Sequence, residues 1–211
     1  IIPSTGTAPR QRPKEPPQIS PRRVSLKDAR VAHPSLTRSY LAPNHSAYDA
    51  DSVALQVFAE ILGIKSTSRL YQEIVVEHAL AAWAGASYHR LALDKSRFYI
   101  YADALPGVSI EEVETALDGV IYELLLNGPS DEELASAKGR MQDVVVYALD
   151  SPQTVANMFG NALSVGLKVA DVESWPARVA AVTRERVIAA ARAVLRLELS
   201  VTGTLLPSEE G

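Results

Sequence analysis

Residues 51–83 read DSVALQVFAEILGIKSTSRLYQEIVVEHALAAW. Val53, Val57 and Ile61 recur with Leu55, Phe58 and Leu62 at intervals of three and four, the apolar stripe of a well-buried helix. Asn44 or Ser46 stands where it can cap that helix, and Gly63 where it can end it. A Ser/Thr-rich turn follows, then a second helix beginning near Ser66, then a run from Leu80 to His89 with strand composition. Helix, turn, helix, strand is therefore the expected order at the centre of the chain.

Working upstream, Val24 and Leu26 share one face of a short strand, and Leu36, Arg38 and Tyr40 share one face of another. Downstream, the run from Arg97 to Leu105 alternates: Phe98, Ile100 and Ala102 point one way, Tyr99, Tyr101 and Asp103 the other. A polar connection around Leu93, Asp94 and Lys95 makes this run and the preceding one an antiparallel hairpin. Ser109 with Glu112, and Ser130 with Glu133, each satisfy the S-x-x-E capping box and open helices. Ser151 before Pro152 opens another, which Gly160 or Gly166 interrupts or ends, and Thr183 opens the last. Leu199, Val201 and Gly203 form a closing strand. The expected fold is α+β: an antiparallel sheet with helices packed on one face.

The 211 residues, 47% hydrophobic and 22% charged, suffice for one domain with a substantial core. Residues 1–21 hold six of the thirteen prolines and almost no apolar periodicity, so they read as a proline-rich interdomain linker. The domain spans 22–207 and a polar tail 208–211. Five cations against Glu15 alone put residues 1–23 at +4; with the whole chain at −4, the remainder carries −8. An acidic body with basic residues confined to a leader argues against nucleic-acid binding. No window approaches the roughly 18 apolar residues of a membrane span, so no membrane partner is expected. With no cysteine, redox chemistry does not indicate a compartment, and cytosol and periplasm stay open. The chain starts at Ile1, and a fragment or processed product is expected.

Four segments carry a family likeness: TSRLYQEIVVEHALAAW (67–83), GPSDEELASAKGR (128–140), WPARVAAVTRERVIAAARAVL (175–195) and VTGTLLP (201–207). In this order and spacing they resemble the insulinase and mitochondrial-processing-peptidase family of zinc peptidases with the inverted motif H-x-x-E-H. The resemblance covers nearly everything from Arg22 to Pro207. Zinc chemistry of that type needs two histidines four apart on one helix and a nearby glutamate. Here His33, His45, His78 and His89 include no such pair. Ile74 to His78 imitates the motif with isoleucine in the first position, which cannot ligate a metal, so Glu77 and His78 read as ordinary helix-end residues. Where the family's zinc helix would align, Leu55 and Ala59 occupy the ligand positions.

The resemblance therefore implies the metal-free C-terminal domain of a bacterial insulinase-type metalloendopeptidase, with no cofactor of its own and zinc in an upstream domain of the same chain. It implies half of a peptide-binding chamber, peptide substrates held extended beside a sheet edge, and no catalytic or metal-binding residue here. Members often grip substrate with an arginine and a tyrosine seven residues apart; the matching positions are Val75 and Ala82, so that pair would come from a homologous partner subunit. Substrate-binding residues are not assignable from the sequence. Arg69 bonds local carbonyls or a nearby carboxylate, or contacts a peptide. Trp83 packs on a helix or lines a chamber, and Tyr99 and Tyr101 face a chamber or solvent. Glu111, Glu112 and Glu114 read as first-turn helix electrostatics. Two other classes compete: a structural or assembly subunit that kept the fold without proteolysis, and a free-standing binding module. The isolated chain is expected to be inactive and, through exposed apolar surface, to dimerise.

Overall fold

The computed structural model describes residues 16, 18–45, 49–63 and 65–208. Five strands, β1 (Arg22–Asp28), β2 (Ser35–Ala42), β3 (Ala81–Tyr88), β4 (Ser96–Ala104) and β5 (Ser200–Pro207), form one sheet in the order β1-β5-β2-β4-β3. The pairs β5–β2, β2–β4 and β4–β3 are antiparallel, as expected from sequence. The edge pair departs from that expectation: β1 lies parallel to β5. The short connection through residues 29–34 reverses the chain between β1 and β2, but β5 inserts between them. Being antiparallel to β2, it must run parallel to β1.

Strand alternation decides which residues meet the helices. Leu36, Tyr40 and Ala42 of β2, Phe98, Ile100 and Ala102 of β4, and Ala84 and Ala86 of β3 are buried. They pack beneath α1 (Asp49–Gly63), α2 (Ile110–Asn127) and α7 (Arg184–Val194), with Phe58 and Phe98 ring centroids 6.0 Å apart. The sequence shows a stripe on α1; the structure buries that helix almost all round, because α3 (Asp131–Ala148), α6 (Trp175–Ala180), α7 and β3 surround it. The remaining helices are α4 (Pro152–Ser164) and α5 (Val169–Glu173). Among the described residues no helix is long and apolar enough to cross a membrane.

Both capping boxes form, Ser109 with Glu112 and Ser130 with Glu133, and Ser151 and Thr183 cap α4 and α7. Helix α4 passes through Gly160 unbroken and stops just before Gly166, whose φ of 91° suits the chain reversal there. The Asn44 amide donates to the carbonyls of Ala92 and Leu93, pinning the β3–β4 connection, and the residues that lead from it into α1 lie outside the described ones. The other candidate, Ser46, lies outside the described residues. The second helix also differs from expectation. It opens at Arg69 and widens to a π-helix over Tyr71–Glu77, with the His78 amide donating to the Glu73 carbonyl. Ala79 then takes a φ of 49° and the Leu80 amide bonds back to Ile74, turning the chain into β3.

Arg38 points to the helix side of β2 and is 3% exposed. Its guanidinium donates to Asp118 and, at 2.6 Å, to Glu114, both on α2. Burial opposes its charge, but the bonds to Asp118 and Glu114 more than offset this and raise its pKa. Glu114 also accepts two bonds from Arg23 of β1. It is therefore a tie between sheet and helix, beyond the first-turn electrostatics expected of it.

Gly63 does end α1, yet not through the left-handed conformation of a helix-stop glycine, which only Gly107, Gly128 and Gly166 adopt among the described glycines. Its reason is contact. A methyl group at Gly63 would lie 2.1 Å from the Ala86 backbone nitrogen. One at Gly85 would lie 2.7 Å from the Gly63 carbonyl oxygen and 2.6 Å from the Tyr101 hydroxyl. We expect Gly63→Ala and Gly85→Ala each to cost about 3 kcal/mol in urea unfolding, the upper end of the usual overpacking range. Gly139→Ala, on α3 with open space around it, should gain up to about 1 kcal/mol in the same assay.

Candidate functional site: the open face of the sheet

The residues between those of the core point to the other side of the sheet, and among the described residues no helix lies across that face, the π-helix meeting it only at Trp83. Tyr99 and Tyr101 of β4 and Trp83 of β3 stand on this face, with Leu41 and Val201 beyond them on β2 and β5. Trp83 is 45% exposed and meets the Tyr71 ring edge-on at 5.5 Å; it thus both packs on the π-helix and faces outward. A bulge between Ala81 and Trp83 sets its position. Tyr99 and Tyr101 lie 5.9 Å apart, His89 stacks on Tyr99, and the Arg97 guanidinium sits 4.5 Å from the Tyr99 ring centroid. The result is an aromatic ridge with apolar neighbours, suited to laying down an extended chain.

Glu77 and His78 are exposed at the end of the π-helix, and Ile74 is fully buried. Leu55 and Ala59 are buried in the core of α1. Val75 packs against the core and Ala82 sits exposed in the β3 bulge, so neither offers a polar group to a substrate. Among the described residues no three His, Cys, Asp or Glu side chains come together as a metal site. One imidazole and one carboxylate at Glu77 and His78 are fewer donors than a tetrahedral zinc site takes.

Arg69 finds a carboxylate. Its Nε and Nη2 donate to Glu133 at 2.6 and 3.0 Å, while Glu133 Oε2 accepts from the Ser130 amide at the start of α3. The signature turn and the S-D-E-E helix start are thereby joined through one side chain.

An α+β domain with one helix-free sheet face, and apolar residues where a metalloprotease helix would carry ligands, is the build of a non-catalytic peptidase domain. Residues 2–141 match the family model described as the peptidase M16 inactive domain. The chain belongs to this family, and corresponds to its inactive domain. An uncharacterized zinc protease of Streptomyces coelicolor is 30% identical over 165 residues, covering 77% of this chain and 36% of the relative. A protease from Helicobacter pylori superposes with a TM-score of 0.89 at 22% identity, over 96% of this chain and 48% of that one. The peptidase M16 inactive domain of Pseudomonas fluorescens does so with a TM-score of 0.78 at 21% identity, over 96% and 47%. This chain thus spans about a third of that curated relative and about half of each of these structures.

The Arg69 bond holds the Glu133 carboxyl below its ordinary range, the arginine being the largest cause and the Ser130 amide assisting. A carboxylate depressed in this way adds stability above its unfolded value of about 4.3, and that stability is lost as pH falls through the lower folded value. Arg69→Ala should cost about 2 kcal/mol at pH 7. In chemical unfolding followed across pH, the gap between wild type and variant should close below about pH 4.

Proposed function

We propose that this chain forms half of a closed peptide-binding chamber in a zinc metalloendopeptidase, with the open face of its sheet as the wall. The aromatic ridge of exposed Trp83 with half-buried Tyr99 and Tyr101, on a sheet face that no described helix lies across, carries the reading: aromatic surface left uncovered on one side of a well-packed domain fits a partner surface or a ligand path. Zinc and the proton-transfer glutamate reside in an upstream domain of the same chain, which the greater length of the relatives accommodates. The hydrogen-bonding groups that grip the scissile peptide come from that domain or from a homologous partner subunit, since Val75 and Ala82 cannot supply them. Substrates are peptides held extended. β1, exposed from Arg22 to Lys27, offers main-chain groups to an added strand.

The test compares this chain with the full-length product of its reading frame, measuring bound zinc and chelator-sensitive cleavage of quenched peptides. The longer protein should show both and the chain alone neither. In the longer protein Trp83→Ala should raise KM about three- to tenfold with kcat little changed, as loss of uniform binding does. Chelator-sensitive cleavage by the chain alone, or an unchanged KM in a folded Trp83 variant, would overturn the proposal. Absence of zinc from both proteins would point instead to an assembly subunit.

A further inference from the structure

At one end of the open face lies a groove of about 480 Å³ with Leu41 and Val201 in its floor. Arg22 of β1 stands on one rim, Lys95 and Arg97 on the other, and among the described residues no carboxylate lines it. This occurs on a chain with 25 acidic against 21 basic residues. The three cations are exposed, and among the described residues none of them sits in an ion pair; Arg97 instead rests on the Tyr99 ring. Elsewhere Arg23, Arg38, Arg69 and Arg140 each have a carboxylate partner.

The register gives the distance between the rims. Arg22 is beside Val201, Val201 beside Ser39 and Ser39 beside Tyr99, one row across four strands. Three interstrand steps of about 4.8 Å put the Arg22 and Tyr99 backbones about 14 Å apart. Since the Arg97 guanidinium lies over Tyr99, this is also the approximate separation of the two cationic rims. No single carboxylate spans it. An extended peptide rises about 3.4 Å per residue, so side chains at positions i and i+4 stand about 14 Å apart on one face, with i+2 between them.

Resting on the reading of this face as a peptide-binding wall, we propose that the groove selects extended peptide segments of the pattern acidic-x-apolar-x-acidic. One carboxylate meets Arg22, the other meets Arg97 and Lys95, and the central apolar side chain covers Leu41 and Val201. Charge complementarity favours this occupant over a neutral or basic peptide. Basic peptides would bring like charges together, and a purely apolar one would leave the rims without partners.

The test is fluorescence anisotropy with the 211-residue chain and a dye-labelled peptide carrying Glu-x-Leu-x-Glu. Replacing both Glu by Gln should weaken binding about tenfold or more, and moving the acids to i and i+2 about threefold. Arg22→Ser and Arg97→Ser should each weaken the acidic peptide about fivefold and leave the Gln peptide unchanged, with melting temperature as the fold control. Equal affinity for the Glu and Gln peptides, or serine variants that bind as wild type, would overturn the proposal. So would protection of the Lys95 amine from labelling in the longer protein without peptide, because another part of that protein would then occupy the groove. A failure here with the Trp83 effect on KM intact removes the acidic selectivity alone. Acid-selective binding here without any Trp83 effect removes the chamber reading and keeps the groove.

Discussion

The closeness of α1 to β3 is the constraint on which the arrangement depends. Gly63 and the Gly85–Ala86 backbone meet without room for a single methyl group. That contact seats the central helix deep enough for α3, α6, α7 and the sheet to close around it, and explains why nearly all of its residues are buried. The same glycine serves the opposite side of the sheet. The space left by Gly85 is shared by the Gly63 carbonyl and the Tyr101 hydroxyl, so the seating of the helix and the position of one aromatic on the open face are set together.

Ion pairs then tie the layers where apolar contact cannot orient them. Arg38 is a buried charge, costly in isolation, and α2 answers it with Glu114 and Asp118. Arg69 and Glu133 do the same between the signature turn and α3. Two of the segments that carry the family likeness therefore meet as structural partners. They specify how the domain is assembled, and the open sheet face follows from that assembly.

Much of this was legible from local pattern. Alternation in Phe98–Asp103 separates core from open face, and the capping boxes at Ser109 and Ser130 locate helix starts, because each signal lies within a few neighbouring residues. What depended on distant partners was not. Arg38 lies on a buried strand face in the sequence, but its acids lie 76 and 80 residues downstream. Gly63 reads as a helix stop, since nothing nearby reveals the strand pressed against it. Asn44 reads as a cap candidate, and nothing near it in the sequence shows that its amide holds a hairpin 48 residues away. The parallel edge pair is invisible for the same reason, and the π-turn because seven residues do not separate a period of 3.6 from a wider one. For the open face, the parity of Tyr99 and Tyr101 was readable, but which parity the helices leave bare was not.

The insertion of β5 between β1 and β2 has a consequence for how the chain reaches this state. During synthesis β1 and β2 emerge first, yet neither can complete its pairing until residues 200–207 arrive to fill the slot between them. The sheet closes through contacts spanning nearly the full sequence, a topology that slows folding. Until then both strands keep an unpaired edge, the condition under which nascent chains associate with one another. Pairing of β5 with both of its neighbours is thus the step that completes the sheet.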